Sequence, residues 1–115
     1  MDDTKTWVVF RVYERKGYFP DVVALFPLLV EKDVRGHWYC TSYEHVGQHG
    51  TADYNYVISI SRPALPEEQG ALHYELAGLG YHLDVHQRAP SWRKIDEARM
   101  FHMKQLEGSG DVASD

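Results

Sequence analysis

Short stretches of strand-like alternation, broken by glycine and proline, dominate the first half of this chain. Trp7 to Tyr13 is rich in β-branched and aromatic side chains and predicts a strand. Gly17 and Pro20 punctuate Lys16–Asp21, which predicts a turn. Val22 to Phe26 is continuously apolar, the pattern of a strand covered on both faces. Pro27 has no N–H to give to a ladder, so this strand should end or bulge there. Asp33-Val34-Arg35-Gly36 reads as the next turn. His37 to Tyr43 then alternates, with Trp38 and Cys40 on one face and Tyr39 and Thr41 on the other. That predicts a third strand, antiparallel to the second. Glu44 to Ala52 places Gly47 and Gly50 among polar residues and reads as a loop.

Helical periods enter in the second half. Asp53 to Ser61 fits two patterns: Tyr54, Tyr56, Ile58 and Ile60 alternate, while an Asp53 N-cap followed by Tyr54, Val57 and Ile58 fits a short helix. The Val, Ile and Ser content tips the expectation slightly towards strand. The next helix is clearer, over 66–79. Pro66 suits its first turn, Glu67 and Glu68 suit its positive end, and Leu65, Leu72, Leu76 and Leu79 share a face. Gly80 can adopt the left-handed cap, with Tyr81 packing back on Leu76. Tyr81 to Arg88 alternates as a half-buried strand, and Ser91 can cap a last helix running to about Leu106. That helix has a weak apolar stripe of Trp92, Ile95, Met103 and Leu106, broken by Arg99, as for partial docking or a partner surface. Together these elements predict an α+β fold. One domain, 1–107, has a mostly antiparallel sheet of four or five strands packed on helix 66–79, with the C-terminal helix across an edge or end. Residues 108–115 are small, polar and acidic, the composition of a disordered tail.

Composition narrows the function classes. A chain of 115 residues that is 43% hydrophobic and 25% charged can build one core. Its net charge is −5, and its basic residues are dispersed apart from Arg88, Arg93 and Lys94. That argues against autonomous nucleic-acid binding and suits docking onto a basic partner. The one cysteine, Cys40, excludes an internal disulfide. With no signal peptide in view, a reducing cytoplasm is the expected compartment. The longest apolar run, Val22 to Val30, is too short to span a bilayer and contains Pro27.

One segment concentrates chemistry. Ser42 to Tyr54 holds His45 and His49, Gln48, Glu44, Asp53 and the phenols of Tyr43 and Tyr54, bent by two glycines. Cys40, His45 and His49, with Asp53 as a fourth ligand, have donor types that zinc accepts, although the spacing matches no standard finger. Cys40 is equally a small buried hydrophobe. A histidine oriented by Asp53 or Glu44 could move protons beside Ser42 or Tyr43, but no nucleophile elbow accompanies it. Internal hydrogen bonds could instead make the segment purely structural. As a contact surface, Tyr43, His45, Gln48, His49 and Tyr54 would meet a partner while Asp53 holds the loop.

The stretch Ser42-Tyr43-x-His45-Val46-Gly47-Gln48-His49-Gly50-x-Ala52-Asp53-Tyr54 resembles a family of small uncharacterised proteins of bacteriophages, prophages and other mobile elements. Three other pieces resemble the family too. They are Val23-Ala24-Leu25-Phe26-Pro27, Arg62-Pro63-Ala64-x-Pro66-Glu67-Glu68, and Glu75-Leu76-x-x-Leu79-Gly80-Tyr81-x-Leu83-x-Val85-x-x-Arg88. The likeness covers residues 22–88. Leu65 stands where a capping Thr is usual, and Gln69 where an aromatic is usual. The resemblance implies a bacterial host cell as habitat and no particular reaction. The expectation is a binding or regulatory protein that meets a host or phage protein through 42–54, with no cofactor. The alternatives are a small metal- or His-dependent enzyme using His45, His49 and Asp53, or a structural loop with function elsewhere.

Overall fold

A computed structural model of the chain describes residues 5–13, 21–44 and 48–114; for Gln48 and for 108–114 it describes the backbone only. The elements run β1 (Thr6–Tyr13), β2 (Asp21–Lys32), β3 (Trp38–Glu44), β4 (Gln48–Ala52), α1 (Tyr54–Ser59), β5 (Arg62–Pro63), α2 (Pro66–Gly78), β6 (Leu83–His86) and α3 (Trp92–Ser114). The strands form one sheet in the order β4-β3-β2-β1-β5, with β6 also on β1. Every pairing is antiparallel except β1 with β6. The α+β class with a mostly antiparallel sheet is therefore as expected, with a sixth strand if the two-residue β5 is counted. β5 and β6 lie end to end along the same edge of β1, β6 beside Thr6–Val9 and β5 beside Arg11–Val12.

Local chemistry explains several element ends. At Pro27 the pairing of β2 with β3 jumps from Phe26 opposite Thr41 to Val30 opposite Cys40. The strand bulges rather than stopping, and it runs on to Lys32. Between β2 and β3, Asp33 Oδ1 accepts from the backbone N–H of Arg35 and of His37, both at 2.9 Å. Gly36 takes the positive φ of 85° that this turn needs. Helix α2 starts at Pro66 as predicted. Leu65, its N-cap, has no side-chain acceptor, and Glu68 Oε1 makes the reverse half of the capping box by accepting from Leu65 N at 2.8 Å. Arg62 holds the Glu68 carboxylate in a fork, at 2.7 and 2.6 Å. Gly80, at φ 103°, closes the helix: its N–H reaches Ala77 O and that of Tyr81 reaches Leu76 O, the two bonds of a Schellman ending.

Alternation along the strands builds two apolar layers. Val8, Phe10, Val12, Ala24, Phe26 and Tyr43 face α2, where Leu72 and Leu76 cover them. Val23, Leu25 and Cys40 face the other way, against Val57 of α1. Each fully buried Val, Leu or Phe contributes about 1.5–3 kcal/mol, so these two layers are the main source of stability. Trp7 and Trp38 fall on the second face by the same alternation. Lys94 and Arg99 of α3 stand over their rings, and His102 meets Trp38 edge-on.

Two expectations need correction. The loop expected over Glu44–Ala52 is strand at Glu44 and over Gln48–Ala52, where β4 pairs with β3 from Gln48 opposite Glu44 to Ala52 opposite Cys40, and residues 45–47 lie outside the described residues. Asp53–Ser61 is not a strand: Asp53 Oδ1 accepts from Tyr56 N at 3.2 Å and starts α1, which lays Val57 on the second layer. The backbone of α3 runs past Leu106 to Ser114. Of the turn expected over Lys16–Asp21, residues 16–20 lie outside the described residues and Asp21 begins β2. No helix among the described residues is long and apolar enough to cross a membrane.

Candidate functional site

The polar segment is the far edge of the sheet, running up β3, down β4 and into the cap of α1. In a strand, successive side chains leave on opposite faces, so this path divides the candidate residues. Tyr43 and His49 are directly opposed and share the face towards α2. Ser42 and Gly50 form the next pair and share the other face with Cys40. Asp53 and Tyr54 belong to α1, on the Cys40 side. Gln48 enters through its backbone in β4, and His45 lies outside the described residues.

On the α2 face a polar–aromatic network ties hairpin to helix. Tyr43 is fully buried, and its hydroxyl donates to Glu75 Oε1 at 2.9 Å. The His49 ring meets the Tyr43 ring edge-on at 4.6 Å, and its Nε2 lies 2.9 Å from the Tyr81 hydroxyl. Tyr81 in turn stacks on Phe26 at 5.1 Å. A buried phenol must find a partner or lose a hydrogen bond that water supplied, so Glu75 explains why tyrosine is tolerated in this layer. Of this network, His49 is exposed and Tyr81 half-buried, whereas the Tyr43 hydroxyl is already engaged inside.

The Cys40 side is organised differently. Asp53 caps α1 and lies 3.2 Å from His37 Nε2. The Tyr56 N–H, and next the His37 ring, hold the Asp53 carboxyl below its ordinary range. Burial pushes the Cys40 thiol up to about 11, so it stays protonated and unreactive at neutral pH. Cys40 and His49 leave the sheet on opposite faces, so that pair does not converge on one ion. Among the described residues no three His, Cys, Asp or Glu side chains gather at metal-binding range. The residues invoked for proton transfer are likewise divided: Ser42 and Asp53 lie on the face opposite His49.

Several functional groups escaped the sequence reading. Glu75 and Tyr81 meet the segment across a separation of 32 residues, which no local pattern reports. Arg11 is a cation inside the apolar run of β1, and only 7% of it is exposed. Its Nε donates to Ser61 Oγ at 3.0 Å, and its Nη2 donates to Ile58 O and Ser61 O at 3.1 and 2.7 Å. A charge interrupting Val8–Val12 was the available signal. Burial lowers the Arg11 pKa, with nearby Tyr54 opposing that effect. Burial likewise raises the Tyr54 phenol, and the Arg11 cation pulls it partly back.

The fold and this edge define a small α+β domain. A scan against protein-family models, a search of curated proteins and a search of solved structures each find no match to the chain.

Proposed function

We propose that this protein binds another protein by accepting an extended segment of its partner alongside β4. The position of β4 carries the reading: among the described residues it is the terminal strand of the sheet and pairs only with β3. A terminal strand leaves one row of N–H and C=O groups without a ladder partner, and adding a strand satisfies them. Proteins that avoid such pairing place Lys, Pro or a bulge on the edge. Gln48-His49-Gly50-Thr51-Ala52 has none of these, its register is regular, and His49, Gly50 and Thr51 are exposed. The net charge of −5 favours a basic partner segment. The exposed His49 imidazole, steadied by Tyr81, supplies a polar contact beside the added strand. This reading keeps the 42–54 segment as the contact region but moves its work from a loop surface to a strand edge. The likeness to small phage and mobile-element proteins suggests a host or phage protein as partner, met in the cytoplasm of a bacterial cell.

Thr51→Lys tests it, because a charge on an exposed edge position discourages strand addition without touching either apolar layer. The variant should keep the wild-type circular dichroism spectrum and melting temperature while losing the partner that the wild-type protein retains. Hydrogen exchange at the β4 amides should slow when that partner is bound. Unchanged exchange at β4 in the complex would refute the edge-pairing reading.

A further inference from the structure

A second site lies on the opposite side of the sheet from the His49 network. Where β6 leaves the edge of β1 and β5 takes it up, the chain leaves a crevice of about 450 Å³. That volume is within the range of small-molecule sites, roughly 300–1,000 Å³. Arg11 and Arg88 both line it. Asn55 and Gln87 add amide groups, and Tyr54 and Ile58 add an apolar wall.

Arg11 gives the crevice its chemistry. Its three hydrogen bonds all go to the end of α1 and to Ser61, through Nε and Nη2. They explain how the arginine braces α1. Among the described residues no acceptor meets Nη1, which carries two further N–H donors. All three acceptors are neutral, and no carboxylate among the described residues pairs with this buried cation. A charge held among apolar neighbours without a counter-ion is costly, and an anion offsets that cost. The backbone that carries the second guanidinium is anchored: Trp7 Nε1 donates to Arg88 O at 3.0 Å, and the Trp7 ring stacks on His86 with the Lys94 ammonium 5.3 Å from its centre.

We propose that this crevice binds a small phosphate monoester, its phosphate between Arg11 Nη1 and Arg88 and its organic part against Tyr54 and Ile58. Two guanidinium groups arriving from separate segments, with amide donors lining the same crevice, suit a tetrahedral dianion with three terminal oxygens. A planar carboxylate is satisfied by a single arginine fork.

The test is an amide NMR titration of the full chain with phenyl phosphate, inorganic phosphate and benzoate. Phenyl phosphate should give saturable shifts at Asn55, Ile58, Gln87 and Arg88 and bind more tightly than the other two. Arg88→Gln, at an exposed position, should leave the remaining spectrum unchanged and weaken binding roughly tenfold, the loss of one charge-assisted contact. Arg11→Lys keeps the charge but removes Nη1 and should also weaken binding; if it unfolds the chain, Arg88→Gln alone decides. The proposal fails if no saturable shift is seen, if Arg88→Gln binds as wild type, or if the shifts cluster elsewhere. Equal binding of benzoate would overturn the phosphate assignment, and equal binding of inorganic phosphate would overturn the role of the organic part.

Discussion

Tyr43→Phe removes one oxygen from the centre of the α2-facing layer and nothing else. In the native protein that oxygen donates to the Glu75 carboxylate at 2.9 Å, and the Tyr43 side chain is fully buried. A hydrogen bond to a charged acceptor contributes about 1.5–3 kcal/mol. Glu75 is only half-buried, so water replaces part of what is lost, and the lower end, about 1.5–2 kcal/mol, is expected. For 115 residues the unfolding entropy is about 0.24 kcal/mol/K, which converts that loss to a fall in melting temperature of roughly 6–8 °C. Urea unfolding followed by circular dichroism measures the free energy directly. Because both residues make other contacts, the pair is isolated by a double-mutant cycle with Glu75→Gln. A loss below about 0.5 kcal/mol, or a cycle showing no coupling between the two sites, would refute the claim that this bond anchors the hairpin to α2.

Other tests bear on the caps and on Cys40. The Glu68 carboxyl is lowered to about 2 from an ordinary 4.5, first by its hydrogen bonds from Arg62 and next by the Leu65 N–H. A depressed folded-state pKa stabilises above the unfolded value and loses that contribution as pH falls through the folded one. Glu68→Gln should therefore melt below wild type at pH 7, with the gap closing between about pH 4.5 and 2; a gap independent of pH would argue against the Arg62 pair. Gly80→Ala forces a Cβ onto a φ of 103° and should cost about 1–2 kcal/mol by urea unfolding, although no atom stands in the way. Cys40, buried and with its thiol pushed up to about 11, should resist a thiol reagent at pH 8 until the chain unfolds, and rapid labelling of the native protein would contradict its place in the second layer.

Features set by a few neighbouring residues could be recognised without coordinates. The Asp33–Gly36 turn, the bulge at Pro27, the entry of α2 at Pro66 and its exit at Gly80 each follow from a missing N–H, a side-chain acceptor or a permitted positive φ. The assignments that failed had no such local determinant. Residues 53–61 suit strand and helix alike, and α1 prevails because it both caps on Asp53 and seats Val57 on the second layer. Gln48–Ala52 has no apolar alternation, so only β3 beside it makes it a strand. The sites needed tertiary structure most. Tyr43 meets Glu75 and His49 meets Tyr81 across 32 residues, while Arg11 meets Ser61 across 50. Residue chemistry could nominate the members of each cluster. Which face each member took, and which distant group it met, depended on strand parity and on where the helices packed.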